Sequence, residues 1–245
     1  MPQPAATSGI VRSMDGSPRS VVTGIEVVED VTSRSRCDEG FLHLKRLVCR
    51  NRHADGSTSR EYRVDVVDRP VPDAVAVLIW RRGPGGVEVL TRKTLRPAAL
   101  FRAGMALPLP DPRSYLLLEE LVAGVLEPAD RGEAGLRHRA AEETLEEAGY
   151  RVRPEEVTLL GGSFFLAPGI LSEKIHPTAV EVTGREQGTP HGDGSPLEEG
   201  AALHWWAIGA LLEACRSGEV EDAKTEILVA RFLARGLAAT PTGSR

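Results

Sequence analysis

The chain has 245 residues, 41% of them hydrophobic and 27% charged, with a net charge of −5, which is enough material for one large domain or a domain with a smaller appendage. No lysine- and arginine-rich stripe offers the phosphate footprint that nucleic-acid binding needs, and the longest apolar run, Ala74 to Trp80, is far too short to span a bilayer. Cys37, Cys49 and Cys215 are odd in number and show no metal-binding spacing, so three reduced thiols in a cytoplasmic protein are expected.

Met1 to Ser20 is polar, rich in Pro, Ser and Gly, and carries no hydrophobic signal core; it is expected to be mobile, with Val21 to Val31 a candidate strand. Phe41 to Arg50 and Arg60 to Val67 read as strands joined across Asp55-Gly56, a hairpin signal. Asp73 to Arg81 is nearly all apolar, as a central strand is. Gly83-Pro84-Gly85-Gly86 turns the chain, and Val87 to Thr91 returns as its partner. Arg92 to Ala98 is basic and reads, on composition alone, equally as a solvated strand end. Ala103 to Arg113, with three prolines, is a surface loop, and Tyr115 to Leu121 leads into the stretch that ends in the acidic helix. Val157 to Leu160 and Ile175 to Val182 are strands, and Thr183 to Glu199 is a long loop expected to be flexible. Leu203 to Ile208 is a strand that sends Trp205 and Trp206 to opposite faces. A helix begins at Ala210 and breaks at Ser217-Gly218, and Asp222 to Leu237 is the last helix. These elements divide the chain into an extension (1–35), an antiparallel β subdomain (36–70), a main domain (71–238) and a tail (239–245).

The strongest signal lies between Leu136 and Tyr150. On a helix, Leu136, Ala140, Ala141, Thr144, Leu145 and Ala148 fall along one side. Glu142, Glu143, Glu146 and Glu147 fall on the other, within an arc of roughly 140°. Glu143 is one turn from Glu146 and Glu147, and each like-charge pair at that spacing costs about 0.2–0.5 kcal/mol on a bare helix. Gly149 stops the helix. One reading is a solvated acidic face. The other is a set of oxygen ligands for Mg²⁺ or Mn²⁺, because no lysine or arginine is interleaved among the acids and a rigid element holds them.

Glu120-Leu121-Val122-Ala123-Gly124-Val125-Leu126-Glu127, a loop with Gly132-Glu133 and the acidic helix together resemble the Nudix box, a loop–helix–loop ending in Arg-Glu-x-x-Glu-Glu-x-Gly. Glu143, Glu146, Glu147 and Gly149 match the family's spacing. The front half is longer than the standard box, so its middle glutamate is Glu127 or Glu133. Glu142 stands where the box has an arginine that helps orient the glutamates, with Arg137 and Arg139 one turn earlier. Arg92 to Ala98 resembles the Gln-Tyr-Arg-Pro segment of ADP-ribose-type Nudix hydrolases, with Arg96 at the arginine. Ala167-Pro168-Gly169 followed by Glu173 resembles their Ser-Pro-Gly loop and its glutamate, and Asp222-Ala223-Lys224-Thr225 resembles a phrase near their C-terminus.

The resemblance implies an α+β protein, a Nudix α/β/α sandwich around a mixed sheet, preceded by an N-terminal antiparallel β subdomain that in such families often reaches across a homodimer. It implies Mg²⁺ or Mn²⁺ held by Glu143, Glu147, Glu173 and the carbonyl of Ala123, with Glu173 the first candidate for general base and Glu146 the second. Arg96 would touch the diphosphate or the terminal ribose, and Glu120 and Gly124 would line the substrate site. Phe41, Tyr62, Trp80 and Phe165 are the candidates for stacking a base, each more readily read as core. The expected partner is a nucleotide-sugar substrate, ADP-ribose or a related nucleoside diphosphate sugar, rather than nucleic acid or membrane. UDP-glucose on the same scaffold is one alternative. A non-catalytic nucleotide sensor, favoured by the missing box arginine, is the other.

Overall fold

A computed structural model describes residue 36, residues 39–192 and residues 194–237. The expected N-terminal extension with its candidate strand, and the tail, lie outside these residues.

β1 (His43–Cys49) and β2 (Tyr62–Asp68) form an antiparallel hairpin in register from His43 opposite Asp68 to Cys49 opposite Tyr62. Its turn closes as His53 N–H donates to Ser57 O at 2.9 Å, and Gly56 takes the left-handed position with φ 84°. A lone two-stranded ribbon is marginal in water. This one is stitched to the main body where Val67 N–H donates to Ile170 O at 2.8 Å and Val67 bridges Leu171.

The main body is an eight-stranded mixed sheet. β3 (Ala74–Gly83) turns into β4 (Gly86–Leu95), and a helical turn, α1 (Pro97–Leu100), leads into the proline-bearing loop. β5 (Leu117–Glu120) and β6 (Val122–Val125) precede the long helix α2 (Gly132–Ala148). β7 (Thr158–Leu159), β8 (Phe164–Phe165) and β9 (Lys174–Glu181) follow. β10 (Ala202–Ala207) runs directly into α3 (Ile208–Ser217), and α4 (Ala223–Ala234) closes the described chain. The strand order is β10-β4-β3-β9-β7, with β5 beside β4, β6 beside β3 and β8 beside β9; β3 and β9 run parallel. The architecture is therefore α+β with a two-stranded sheet and a larger mixed one.

The central strand explains the layering. Ala74 through Trp80 are all buried, and successive side chains leave opposite faces. Val75, Val77 and Ile79 pack with Leu90, Val122, Ala140, Ala141 and Ala148, which brings α2 onto one face. Ala76, Leu78 and Trp80 pack with Leu211, Leu228 and Phe232, which brings α3 and α4 onto the other. Trp206 joins the second core and Trp205 the first, as the alternation requires. Trp80 is a core residue, edge-on to Phe232 with ring centroids 5.2 Å apart. Removing that phenyl ring is expected to cost about 3–5 kcal/mol.

β4 is longer than its apolar run suggests and continues through Arg92, Lys93 and Thr94 to Leu95. Thr183–Glu199, expected as a flexible loop, is fastened to the C-terminal end of α2. Gly188 N–H donates to Gly149 O at 2.8 Å, and His191 and Gly192 N–H both donate to Glu146 O, at 3.1 and 2.9 Å. The Gln187 amide donates to Ala148 O at 2.9 Å. Carbonyls at a helix end have no partner within the helix, so a neighbouring strand of loop is a natural donor.

Candidate functional site

α2 begins at Gly132 and ends at Gly149, whose φ of 76° lets its N–H and that of Tyr150 turn back onto Leu145 O and Thr144 O. The apolar stripe keeps the helix flat on the sheet, so its acids lie along the flank of that contact. β6 passes beneath them. Gly124 is opposite Val75 in the β3–β6 ladder and so shares Val75's face, toward α2. The Glu143 side chain lies over it, so close that a Cβ on residue 124 would fall 2.6 Å from Glu143 Cγ and nearer still to its carboxylate. Only glycine admits this approach.

Glu143 has no hydrogen-bond or ion-pair partner among the described residues. Burial, and then the neighbouring carboxylates of Glu147 and Glu146, push its pKa up to about 8. Burial also pushes Glu147 up to about 6, against the pull of Arg92 and a hydrogen bond from the Ala123 backbone. The side chain of Glu146 lies near Glu143, while its carbonyl holds the 183–199 loop.

Arg92 is the cation of the cluster. Leu90 faces α2, and two residues further along the same strand Arg92 does too. Its Nη1 pairs with Glu147 and its Nη2 with Glu198 at 2.8 Å, and the side chain is only 7% exposed. Burial opposes its charge, but the two carboxylates outweigh that and hold its pKa above the ordinary value. Glu198 comes from the short 3₁₀ turn Pro196–Glu198 near the end of the fastened loop.

Glu120 is opposite Arg92 in the β4–β5 ladder and is almost fully buried. It accepts from Thr94 Oγ1 at 2.7 Å and Lys224 Nζ at 3.1 Å, and it pairs with Arg96. Burial works against its charge, yet Lys224 and Arg96 together hold its pKa below the ordinary carboxylate range. Asp222 caps α4 by accepting from Thr225 N–H at 3.0 Å and also takes Lys224 Nζ at 2.6 Å. The phrase Asp222-Ala223-Lys224-Thr225 thus serves as a helix cap and a counter-ion for Glu120. Arg96 leaves this network half exposed, held by Glu120.

Glu173 lies just before β9 and is engaged elsewhere, with Arg69 Nη2 at 2.6 Å. Arg69 is fixed in turn by donating to Val71 O at 3.0 Å and Pro72 O at 2.7 Å. Ser172 donates to Asp68 at 2.8 Å, and Leu42, Val67 and Pro72 complete the cleft at the hairpin seam. Phe41, 65% exposed, has its ring 5.8 Å from the Arg69 guanidinium. Of the other aromatic candidates, Tyr62 donates to Asn51 at 2.8 Å, and half-exposed Phe165 has Lys174 Nζ 5.0 Å over its ring. Glu127 pairs with Arg139 at 3.0 Å and Glu133 with Arg137 at 2.5 Å, so both candidates for the middle glutamate sit in surface ion pairs. Glu142 lies between His138 at 3.2 Å and Arg139 at 3.3 Å.

The structure therefore brings Glu143, Glu147, Gly124 and the backbone of Ala123 together on the α2 side of the sheet, with Arg92 and Glu198 completing the group, and sets Glu120 and Arg96 beside it across the β4–β5 ladder. Glu173 lies in a second cleft with Arg69, whose guanidinium the Phe41 ring flanks. Among the described residues, no three His, Cys, Asp or Glu side chains gather into a ready-made metal cage. Two functional candidates escape sequence reasoning. Arg92 carries a signal in hindsight, since strand alternation from Leu90 aims it at α2. Glu198 carries none, because only tertiary contacts bring its loop to the helix. No protein-family model matches the chain, and no curated protein matches it.

Proposed function

We propose that this chain is a divalent-cation-dependent hydrolase of the Nudix type, cleaving the diphosphate of ADP-ribose or a related nucleoside diphosphate sugar to a nucleoside monophosphate and a sugar phosphate. The observation that carries this reading is Glu143, an unpaired carboxylate seated over Gly124 with Glu147 and Glu146 at its side. A half-buried acid with no direct ion-pair partner, beside two other carboxylates, is costly. The donor set suits Mg²⁺ or Mn²⁺, since Mg²⁺ is commonly held by one or two carboxylates together with substrate phosphates rather than by a closed cage. Glu143 and Glu147 would hold it beside the Ala123 backbone, and the ion would neutralise charge on the diphosphate.

The chain's own residues account for the remaining needs. Arg96 presents a forked guanidinium suited to a phosphate oxygen. Glu120 keeps it aimed, and Phe41 offers an exposed ring for a base or ribose. Water attacks one phosphorus, the bridging P–O bond breaks, and Glu146, at the side of Glu143, takes the proton, because Arg69 holds Glu173 in the other cleft. Incubation with Mg²⁺ and ADP-ribose, UDP-glucose, GDP-mannose or NADH, followed by phosphatase and phosphate detection, tests this. Turnover of a sugar nucleotide that EDTA abolishes is expected, and an inert protein across the whole panel overturns the proposal.

A non-catalytic nucleotide sensor is the second reading. It is favoured by the two internal ion pairs, Arg92 on Glu147 and Arg69 on Glu173, which give two of the expected acids a protein partner. Saturable binding of ADP-ribose without turnover is its signature.

A further inference from the structure

Arg92 holds two carboxylates from different parts of the chain at once, Glu147 on α2 with Nη1 and Glu198 on the 183–199 loop with Nη2. Its side chain is 7% exposed, so a guanidinium that lost a carboxylate here would be poorly resolvated. Its neighbour across the ladder, Glu120, is already committed to Arg96, Lys224 and Thr94. Glu198 is thus the one carboxylate besides Glu147 that the described contacts give to this guanidinium. The loop that carries Glu198 is anchored independently of Arg92, through Gly188 to Gly149 and through His191 and Gly192 to Glu146. None of these anchors uses the Glu147 carboxylate.

We infer that Arg92 is a tethered counter-ion, which gives up Glu147 to a divalent cation and is kept by Glu198. The inference rests on the reading of Glu143 and Glu147 as cation ligands. Without Glu198, a guanidinium leaving Glu147 would be stranded in a nearly dry site, and release would be opposed. With it, Arg92 exchanges two partners for one and stays paired. Glu198 therefore favours cation binding through Arg92 and not as a ligand, which makes Arg92 and Glu198 positioning residues of the site.

The test is a double-mutant cycle read by Mn²⁺ binding to the intact protein, with free Mn²⁺ followed by electron paramagnetic resonance at fixed ionic strength and no substrate present. Glu198→Gln is expected to weaken Mn²⁺ binding by about fivefold or more, and to change it by less than about twofold in an Arg92→Gln background, because the two residues act as one unit. Arg92→Gln alone is expected to bind Mn²⁺ more tightly than the wild type. If Arg92→Gln fails to fold, Arg92→Lys replaces it: a compact ammonium lacks the fork that bridges both acids, and the Glu198→Gln effect is again expected to shrink. An equal Glu198→Gln effect in both backgrounds, or none in either, overturns the inference while leaving the cation site standing. A wild-type protein that binds no Mn²⁺ overturns the proposed function itself and this inference with it.

Discussion

Gly124 and Glu143 compete for one volume. A Cβ on residue 124 would lie 2.6 Å from Glu143 Cγ and closer to its carboxylate, so the glutamate reaches its place only because residue 124 has no side chain. The obstructed atoms are the far end of a flexible side chain, which can swing aside at little cost. Gly124→Ala is therefore expected to keep its melting temperature within about 4 °C of wild type, yet weaken Mn²⁺ binding about tenfold or more. An unchanged dissociation constant would remove Glu143 from the ligand set.

The same carboxyl group makes the stability of the cation-free protein depend on pH. Its folded pKa of about 8 exceeds the unfolded value of about 4.3. The native state therefore holds this proton longer than the unfolded chain does. The contribution is intact below the unfolded pKa, is lost progressively as pH rises toward 8, and stays constant above that. Glu147, raised to about 6, adds a smaller loss of the same sign that is complete by about that pH. Glu143→Gln in EDTA is expected to gain on the order of 2–4 kcal/mol over wild type at the alkaline end and little near pH 5. Urea midpoints for both proteins at acid and alkaline pH measure this, and parallel pH profiles would sink it.

Glu147 is half-buried between Arg92 and the Ala123 backbone, so its carboxylate is held by its surroundings. Glu147→Gln keeps the shape and removes the charge. The expected loss in kcat is at least about 10²-fold, the order seen when a key electrostatic group is removed. Circular dichroism confirming a folded variant with a loss under about threefold would count against the cation site.

Glu142, in contrast, faces outward to His138 and Arg139. Glu142→Arg exchanges a surface attraction for a repulsion, worth about 1 kcal/mol at most. Activity is expected to stay level or rise. A collapse of kcat would make Glu142 a ligand in its own right.

Glu120 is a structural anchor as well as a neighbour of the proposed substrate site. Glu120→Ala would leave Lys224 buried beside Asp222 alone and free Arg96 from its support. Breaking a buried pair of this kind costs about 3–5 kcal/mol, a fall of roughly 6–20 °C in melting temperature for a chain of this size. Calorimetry measures it. A shift of less than about 2 °C would show that the Glu120 network contributes little to the fold.

Local pattern in the amino-acid sequence determined most of the elements. The apolar run of β3, the Asp55-Gly56 hairpin, the opposed Trp205 and Trp206 and the glycine stop of α2 all follow from alternation, helical period and turn chemistry, which act over a few residues. The acid face of α2 was legible for the same reason. Its partners were not. Arg92 meets Glu147 only because β4 lies beside β3 under the helix, Glu198 arrives from a loop with no pattern of its own, and Glu173 is taken by Arg69 from the hairpin seam. Those pairings join residues 55, 106 and 104 positions apart. Which charge neutralises which is set by strand order and layer packing, and periodicity along the chain carries no record of either.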